Sequence, residues 1–300
     1  MRILIAITSL VLGLSSCARK QADGPKMDPS IATLVPSDTV IMAGTRLEAL
    51  LKTKVYQDNF ADRKIPQIDD FAQRTGLDPR KDLWELLFAS NGTHSVLLGR
   101  GKFGDEMMAP GLDRNYSKNG AQRDGYKGFT IFENTQGGIV LFNGTTAALG
   151  DVPSLHRLID ERANSHGTPA PMAALLKEIP PDAQFWAAYA GGPVNLQLDG
   201  LLANVNKLLS TIQTGTIYFD LRTGVSAVGS ATCTNVESAQ QVQAALRALV
   251  GLGRLSVPKN QPELAQVYDT IRVTQEGARV KLYIDVPEVM ADKFLKLWLR

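Results

Sequence analysis

Hydrophobic and polar positions divide the chain into three stretches. Residues 3–14 form an uncharged, mostly apolar run interrupted only by Thr8, Ser9 and Gly13. Residues 18–30 (ARKQADGPKMDPS) are polar and carry Gly24, Pro25 and Pro29, the composition of a flexible connection. From residue 31 onward, short apolar runs alternate with helical patterns and turn residues. Val280, Leu282 and Ile284 alternate with Lys281, Tyr283 and Asp285, which predicts a strand with one apolar face. Val236 to Val250 predicts a helix. Thr234-Asn235-Val236-Glu237 has the form of a capping box, Val236, Ala239, Val242, Leu246 and Leu249 share a face, and Gly251 terminates it.

The predicted elements recur in the same order. Val35-Pro36-Ser37-Asp38 announces an apolar strand over 39–43, and Ile179-Pro180-Pro181-Asp182, 144 positions later, announces another over 183–189. Helices over 47–51 and 198–209 come next. They are followed by paired strands over 86–89 and 95–101 in one half, and over 216–221 and 224–233 in the other. A helix and a hairpin follow in each half, the hairpins at 129–133 with 139–142 and at 270–275 with 280–284. The first half adds an Asn143-Gly144 turn and a short strand. Asp151-Val152-Pro153 and Asp285-Val286-Pro287 then each open a helix, with aspartate as N-cap and proline at the first position. The expectation is an α+β fold of two tandem, structurally related lobes, each a mostly antiparallel sheet with helices packed on one side in the order β-α-β-β-α-β-β-α. The lobes are expected at residues 31–166 and 172–300, separated at Gly167 to Pro171 (GTPAP).

Met1-Arg2 places a positive charge before the apolar run of 3–14. That run is too short to span a bilayer, which takes about 20 apolar residues, and suits the core of a secretion signal. It ends in Leu14-Ser15-Ser16-Cys17, which resembles the lipobox of bacterial lipoproteins: an aliphatic residue, two small residues and a cysteine. The resemblance implies that residues 1–16 are a signal peptide and that Cys17 becomes the first residue. Its sulfur would carry a diacylglyceryl group and its amine a further acyl chain of palmitate type. At roughly 0.8 kcal/mol for each buried methylene, two or more chains make such an anchor effectively permanent. Residues 17–30 then act as a lipidated tether. Ala18 is not the aspartate associated with inner-membrane retention, so the resemblance implies an outer-membrane location facing the periplasm. The alternative is ordinary secretion with cleavage near Ser16, leaving Cys17 a free thiol. In overall pattern the body also resembles envelope lipoproteins built from tandem α+β repeats, a resemblance that brings no activity with it.

Composition narrows the partners. With 300 residues, 44% of them hydrophobic and 21% charged, the chain is long enough for a large core. Its formal charge of +2 leaves no basic excess to meet phosphates, which excludes nucleic acid as a partner. Cys233 has no mate other than Cys17, so the fold relies on its core rather than on disulfides.

Candidate chemistry is sparse. Gly99-Arg100-Gly101-Lys102-Phe103-Gly104 matches a dinucleotide fingerprint, but Asp105 and Glu106 at the start of a following helix would repel a pyrophosphate, so the stretch reads as a turn at a strand end. His94, His156 and His166 show no metal-ligand spacing. Ser226 lies within a strand and lacks the second glycine of a nucleophile elbow, and Cys233 alternates with Val225, Ala227 and Ala231 as a buried thiol. Asp69, Asp70, Asp82 and Glu85 read as solvated carboxylates, and Trp84, Trp186 and Trp298 as core. Asn91-Gly92-Thr93 and Asn143-Gly144-Thr145 read as turns. The expectation is therefore a membrane-anchored envelope lipoprotein without catalytic, metal or cofactor sites, whose one site residue is Cys17. Its two-lobed body would bind or scaffold another envelope protein. Two alternatives remain at this point: a periplasmic carrier of an apolar small molecule, and an envelope hydrolase assembled from dispersed residues.

Overall fold

The strands predicted from alternation are present, and in the computed structural model they join into one surface. The structure describes residues 24–104, 122–135, 137–164, 167–192, 210–258, 261 and 264–298. Within these, twelve strands form a single sheet. They are β1 (Ile41–Arg46), β2 (Leu83–Ser90), β3 (Ser95–Gly101), β4 (Gln122–Tyr126), β5 (Phe129–Asn134), β6 (Gly137–Asn143), β7 (Thr146–Gly150), β8 (Phe185–Tyr189), β9 (Ile212–Asp220), β10 (Gly224–Cys233), β11 (Arg272–Glu276) and β12 (Arg279–Pro287). Their order across the sheet is β11-β12-β10-β9-β8-β1-β2-β3-β7-β6-β5-β4, and each neighbouring pair is antiparallel.

This arrangement corrects the expectation of two tandem lobes. β1 and β8, each expected to open a separate lobe, pair with one another from Ile41↔Tyr189 to Thr45↔Phe185. Arg46 N–H donates to Gln184 O at 3.3 Å and Ala190 N–H to Val40 O at 2.8 Å, extending the ladder at both ends. The core also ignores the GTPAP boundary. Ile31, Met42, Leu98, Ile131 and Leu155 from the first half pack in one cluster with Met172, Leu176, Ile179 and Trp186 from the second. Residues 167–171 lead into the helix Ala170–Leu176, which packs on β8 and β9.

Helices cover both faces rather than one, because side chains alternate across the pleat. One face carries the aligned row Ile131, Val140, Ala148, Leu98, Leu87, Gly44, Trp186, Tyr218, Val228 and Tyr283. Its apolar part packs with Leu155 and Leu158 of the helix Val152–Glu161 and with Met172 and Leu176 of the helix Ala170–Leu176. The opposite face carries Phe132, Ile139 and Ala147, which meet Phe71 of the helix Pro66–Thr75. It also carries Val280, Val273 and Leu282, which meet Ala239, Val242 and Leu246 of the helix Val236–Leu255.

Local signals explain several element ends. Asp151 caps its helix as expected, accepting Ser154 N–H at 2.8 Å on Oδ1. The parallel expectation at Asp285-Val286-Pro287 fails. These residues finish β12, opposite Ser226, Val225 and Gly224, and the helix Glu288–Trp298 begins only after them. Asn235 caps Val236–Leu255 by accepting Ser238 N–H at 2.8 Å. Gly251 does not end that helix, which runs on to a cap at Ser256. The predicted helix over 198–209 lies outside the described residues, as do Asp105 and Glu106.

At the centre of the sheet, Gly44 makes room for the indole of Trp186. A Cβ on residue 44 would lie 2.4 Å from Trp186 Cζ2, and the tryptophan is buried. Overpacking of this kind costs about 1–3 kcal/mol. Gly44→Ala is therefore expected to lower the free energy of urea unfolding by that amount, and a variant as stable as the parent would show that the indole is not seated there.

Candidate functional site

Cys17, the predicted lipid-bearing residue, lies outside the described residues. The site that can be built is the seat of the segment that follows it. Residues 24–35 cross the first face of the sheet and are fixed at successive points. Gly24 adopts φ +86, and a Cβ there would lie 3.2 Å from Leu176 O. Lys26 N–H donates to Pro181 O at 3.3 Å. Ile31 and Val35 are fully buried in the main core cluster.

Between these points sits a charged clamp. Arg46, Glu85 and Arg100 are aligned across β1, β2 and β3. Asp28 N–H donates to both Glu85 carboxylate oxygens at 3.1 Å. The Asp28 side chain faces the other way: Oδ2 lies 3.1 Å from Arg100 Nε, and Oδ1 accepts Ser30 N–H at 2.9 Å, capping the short helix Pro29–Ala32. Arg100 also donates from Nη1 to Thr145 O at 2.7 Å and Thr146 Oγ1 at 3.1 Å, as well as to Thr145 Oγ1. Its guanidinium carbon stands 5.5 Å from the centre of the Trp84 ring.

Burial pushes the Glu85 carboxyl above the ordinary glutamate value, offset only in part by Asp28 N–H and by the charges of Arg46 and Arg100. Burial acts on Asp28 in the same sense, yet the hydrogen bonds from Ser30 and the guanidinium of Arg100 hold its carboxyl below the ordinary aspartate value. Groups held this way fix a chain segment in place, and Ser30 Oγ adds a hydrogen bond to Asp28 Oδ1 at 2.5 Å.

The other predicted residues do not converge here. Gly99 and Gly101 are strand residues. A Cβ at Gly101 would lie 2.4 Å from Asp82 O, and the N–H groups of Lys102 and Phe103 are taken by Asp82 O and Gly144 O at 2.7 and 2.8 Å. The first half of the fingerprint is thus strand rather than turn, and its glycines allow a close approach of backbones. His94 Nδ1 lies 3.6 Å from Asp151, and His156 Nε2 lies 3.3 Å from Asp124 with its ring stacked on Tyr126; His166 lies outside the described residues. No group of three metal-ligating side chains occurs among the described residues. Burial pushes the Cys233 thiol up, and Cys233 packs with Ala239 and Val280. Ser226 lies in β10 opposite Asp220 and Asp285. Asp69 pairs with Arg80 Nη2 at 2.6 Å, and Asp82 accepts Asp78 N–H at 2.9 Å. Asp82 and Glu85 are buried, against the expectation of solvated carboxylates. Asn91 and Asn143 each accept the N–H two residues on, at 3.0 and 2.8 Å, as turn residues do.

Two clefts among the described residues are open. One of about 350 Å³ is lined by Arg247, Val250 and residues 271–274, and one of about 190 Å³ by Gly253, Leu264, Tyr268 and Phe294 among others.

The fold and the seated N-terminal segment define an α+β protein built on one broad antiparallel sheet with helices on both faces. Among solved structures the chain is similar to TP0453. Its crystal form III aligns with a TM-score of 0.52 at 12% identity, covering 91% of this chain and 98% of that one. Crystal form I aligns with a TM-score of 0.48 at 12% identity, covering 91% and 97%. At such identity the likeness speaks for the fold alone. No family model matches the sequence, and no curated protein matches it.

The raised Glu85 carboxyl has a signed consequence. Its folded pKa lies above the unfolded value, near 4.5, so the folded chain binds this proton more tightly and Glu85 contributes more to stability as pH falls through that window. Glu85→Gln mimics the protonated form. Its urea-unfolding stability relative to the parent is expected to decline as pH is lowered from 7 toward 4.5, whereas a pH-independent difference would mean that Glu85 is not desolvated.

Proposed function

We propose that the protein is a lipid-anchored, non-catalytic component of the bacterial cell envelope, held on the membrane by acyl chains on Cys17 and presenting its sheet and helices for binding or scaffolding. The observation that carries this reading is Leu14-Ser15-Ser16-Cys17 at the end of an apolar run too short to span a bilayer. Among the described residues, no helix is long and apolar enough to cross a membrane. The clamp at Asp28, Glu85 and Arg100 supports the same reading, because a lipid anchor positions a body only if the segment behind it is tied down.

Ala18 supports an outer-membrane location facing the periplasm. The carrier reading has weaker support. The open clefts of about 350 and 190 Å³ lack the enclosure with which sites for apolar ligands cover most of their ligand's surface. An envelope protein is the partner favoured here, bound to an anchored body.

Cys17→Ala tests the reading. The parent chain is expected to sediment with membranes and to incorporate labelled palmitate, while the variant is expected to fractionate with soluble protein and take up no label. A variant that still sediments with membranes would refute the anchor.

A further inference from the structure

The two ends of the sheet differ. β1 finishes at Arg46, and at that same end β8 begins, β9 finishes and β10 begins at Gly224 opposite Pro287. The segment leading from Cys17 enters the body here. Gly24 is buried against Leu176 O, Lys26 is bonded to Pro181 O, and Gln184, just before β8, accepts from Arg46 N–H. Seven residue steps separate Cys17 from Gly24. Even fully extended they reach no more than about 25 Å.

Exposed apolar side chains gather at this end as well. The helix Val236–Leu255 leaves β10 at the opposite, Ile41 end and runs back along the sheet for about 30 Å, at 1.5 Å per residue. Arg247 reaches Val273 O at 3.0 Å on the way, and Arg254 pairs with Asp269 at 2.8 Å near the finish. Its last turn leaves Leu252 61% and Leu255 82% exposed, and Val289, two residues past the end of β12, is 69% exposed. Several charges nearby are matched: Arg222 pairs with Asp182 and Asp220, Arg254 with Asp269, and Lys54 with Asp58 and Glu288.

We infer that the Arg46 end of the sheet faces the bilayer, and that Leu252, Leu255 and Val289 enter the lipid interface there. The inference rests on the lipid-anchor reading. Three isolated apolar side chains make a weak contact on their own, but a tether of this length turns that contact into an intramolecular one at high effective concentration.

Site-directed spin labelling of the full lipidated chain in phosphatidylcholine vesicles tests this. Single variants Leu255→Cys, Val289→Cys and Val236→Cys carry the label; Val236 is 49% exposed at the opposite end and serves as the reference. Labels at 255 and 289 are expected to collide with oxygen several-fold more than with a water-soluble nickel complex, and the label at 236 to show the reverse. If all three collide with nickel alike, the body hangs clear of the lipid and the inference fails. If 255 and 289 are shielded from both reagents, a protein surface such as a second copy covers them, and it fails again. The parent chain separates these failures from failure of the anchor. With Cys17 acylated and Cys233 buried, it takes up no thiol label, whereas one label per chain at Cys17 would overturn the anchor and this inference together.

Discussion

Pairing between β1 and β8 is the interaction on which the rest of the structure depends. Each strand is five or six residues long and would otherwise present an unpaired row of N–H and C=O groups, a costly and aggregation-prone edge. Joined through five aligned residue pairs, they convert what would be two edges into the middle of a twelve-stranded sheet. The main core follows from this, because Trp186 on β8 packs over Gly44 on β1 and joins a cluster reaching to Ile131 on one side and Met172 on the other. Among the described residues, only β4 and β11 are left as outer strands.

The segment 24–35 depends on the same pairing. Its hydrogen bond to Pro181 comes from the approach to β8, and its clamp on Glu85 and Arg100 comes from β2 and β3. It therefore straddles the junction of the two halves, with Ile31 and Val35 buried across it. A pull applied at residue 24 would be delivered to the centre of the sheet rather than to an edge.

Much of the secondary structure was legible. The alternation of Val280, Leu282 and Ile284 and the Asp151-Val152-Pro153 start are local signals, and local geometry answers to them. Which strands meet is a different matter. The faces of β1 and β8 are made of small and apolar residues, such as Ala43 opposite Ala187, that fit any neighbour, so nothing in the residues marks the partner as a strand some 140 positions away. Asp285-Val286-Pro287 shows the limit of a local motif. It has the composition of a helix start, yet pairing with Gly224 to Ser226 keeps it in the sheet, at a point beyond the first residue of β11. The clamp was hidden for a similar reason. Glu85 within Leu83-Trp84-Glu85-Leu86-Leu87 and Arg100 within a glycine-rich stretch look like solvated strand charges until β2 and β3 align them under Asp28. The one available signal was a charge interrupting an otherwise apolar strand.

Native-state hydrogen exchange, resolved residue by residue, tests the central claim most directly. If β1 and β8 form the middle of one sheet, the amides of Ala43, Thr45, Ala187 and Ala188 exchange only through global unfolding, as slowly as those of Leu87 and Leu98, and more slowly than those of β4 and β11. Exchange of the β1 and β8 amides at the rate of those outer strands would contradict the account and restore two independent halves.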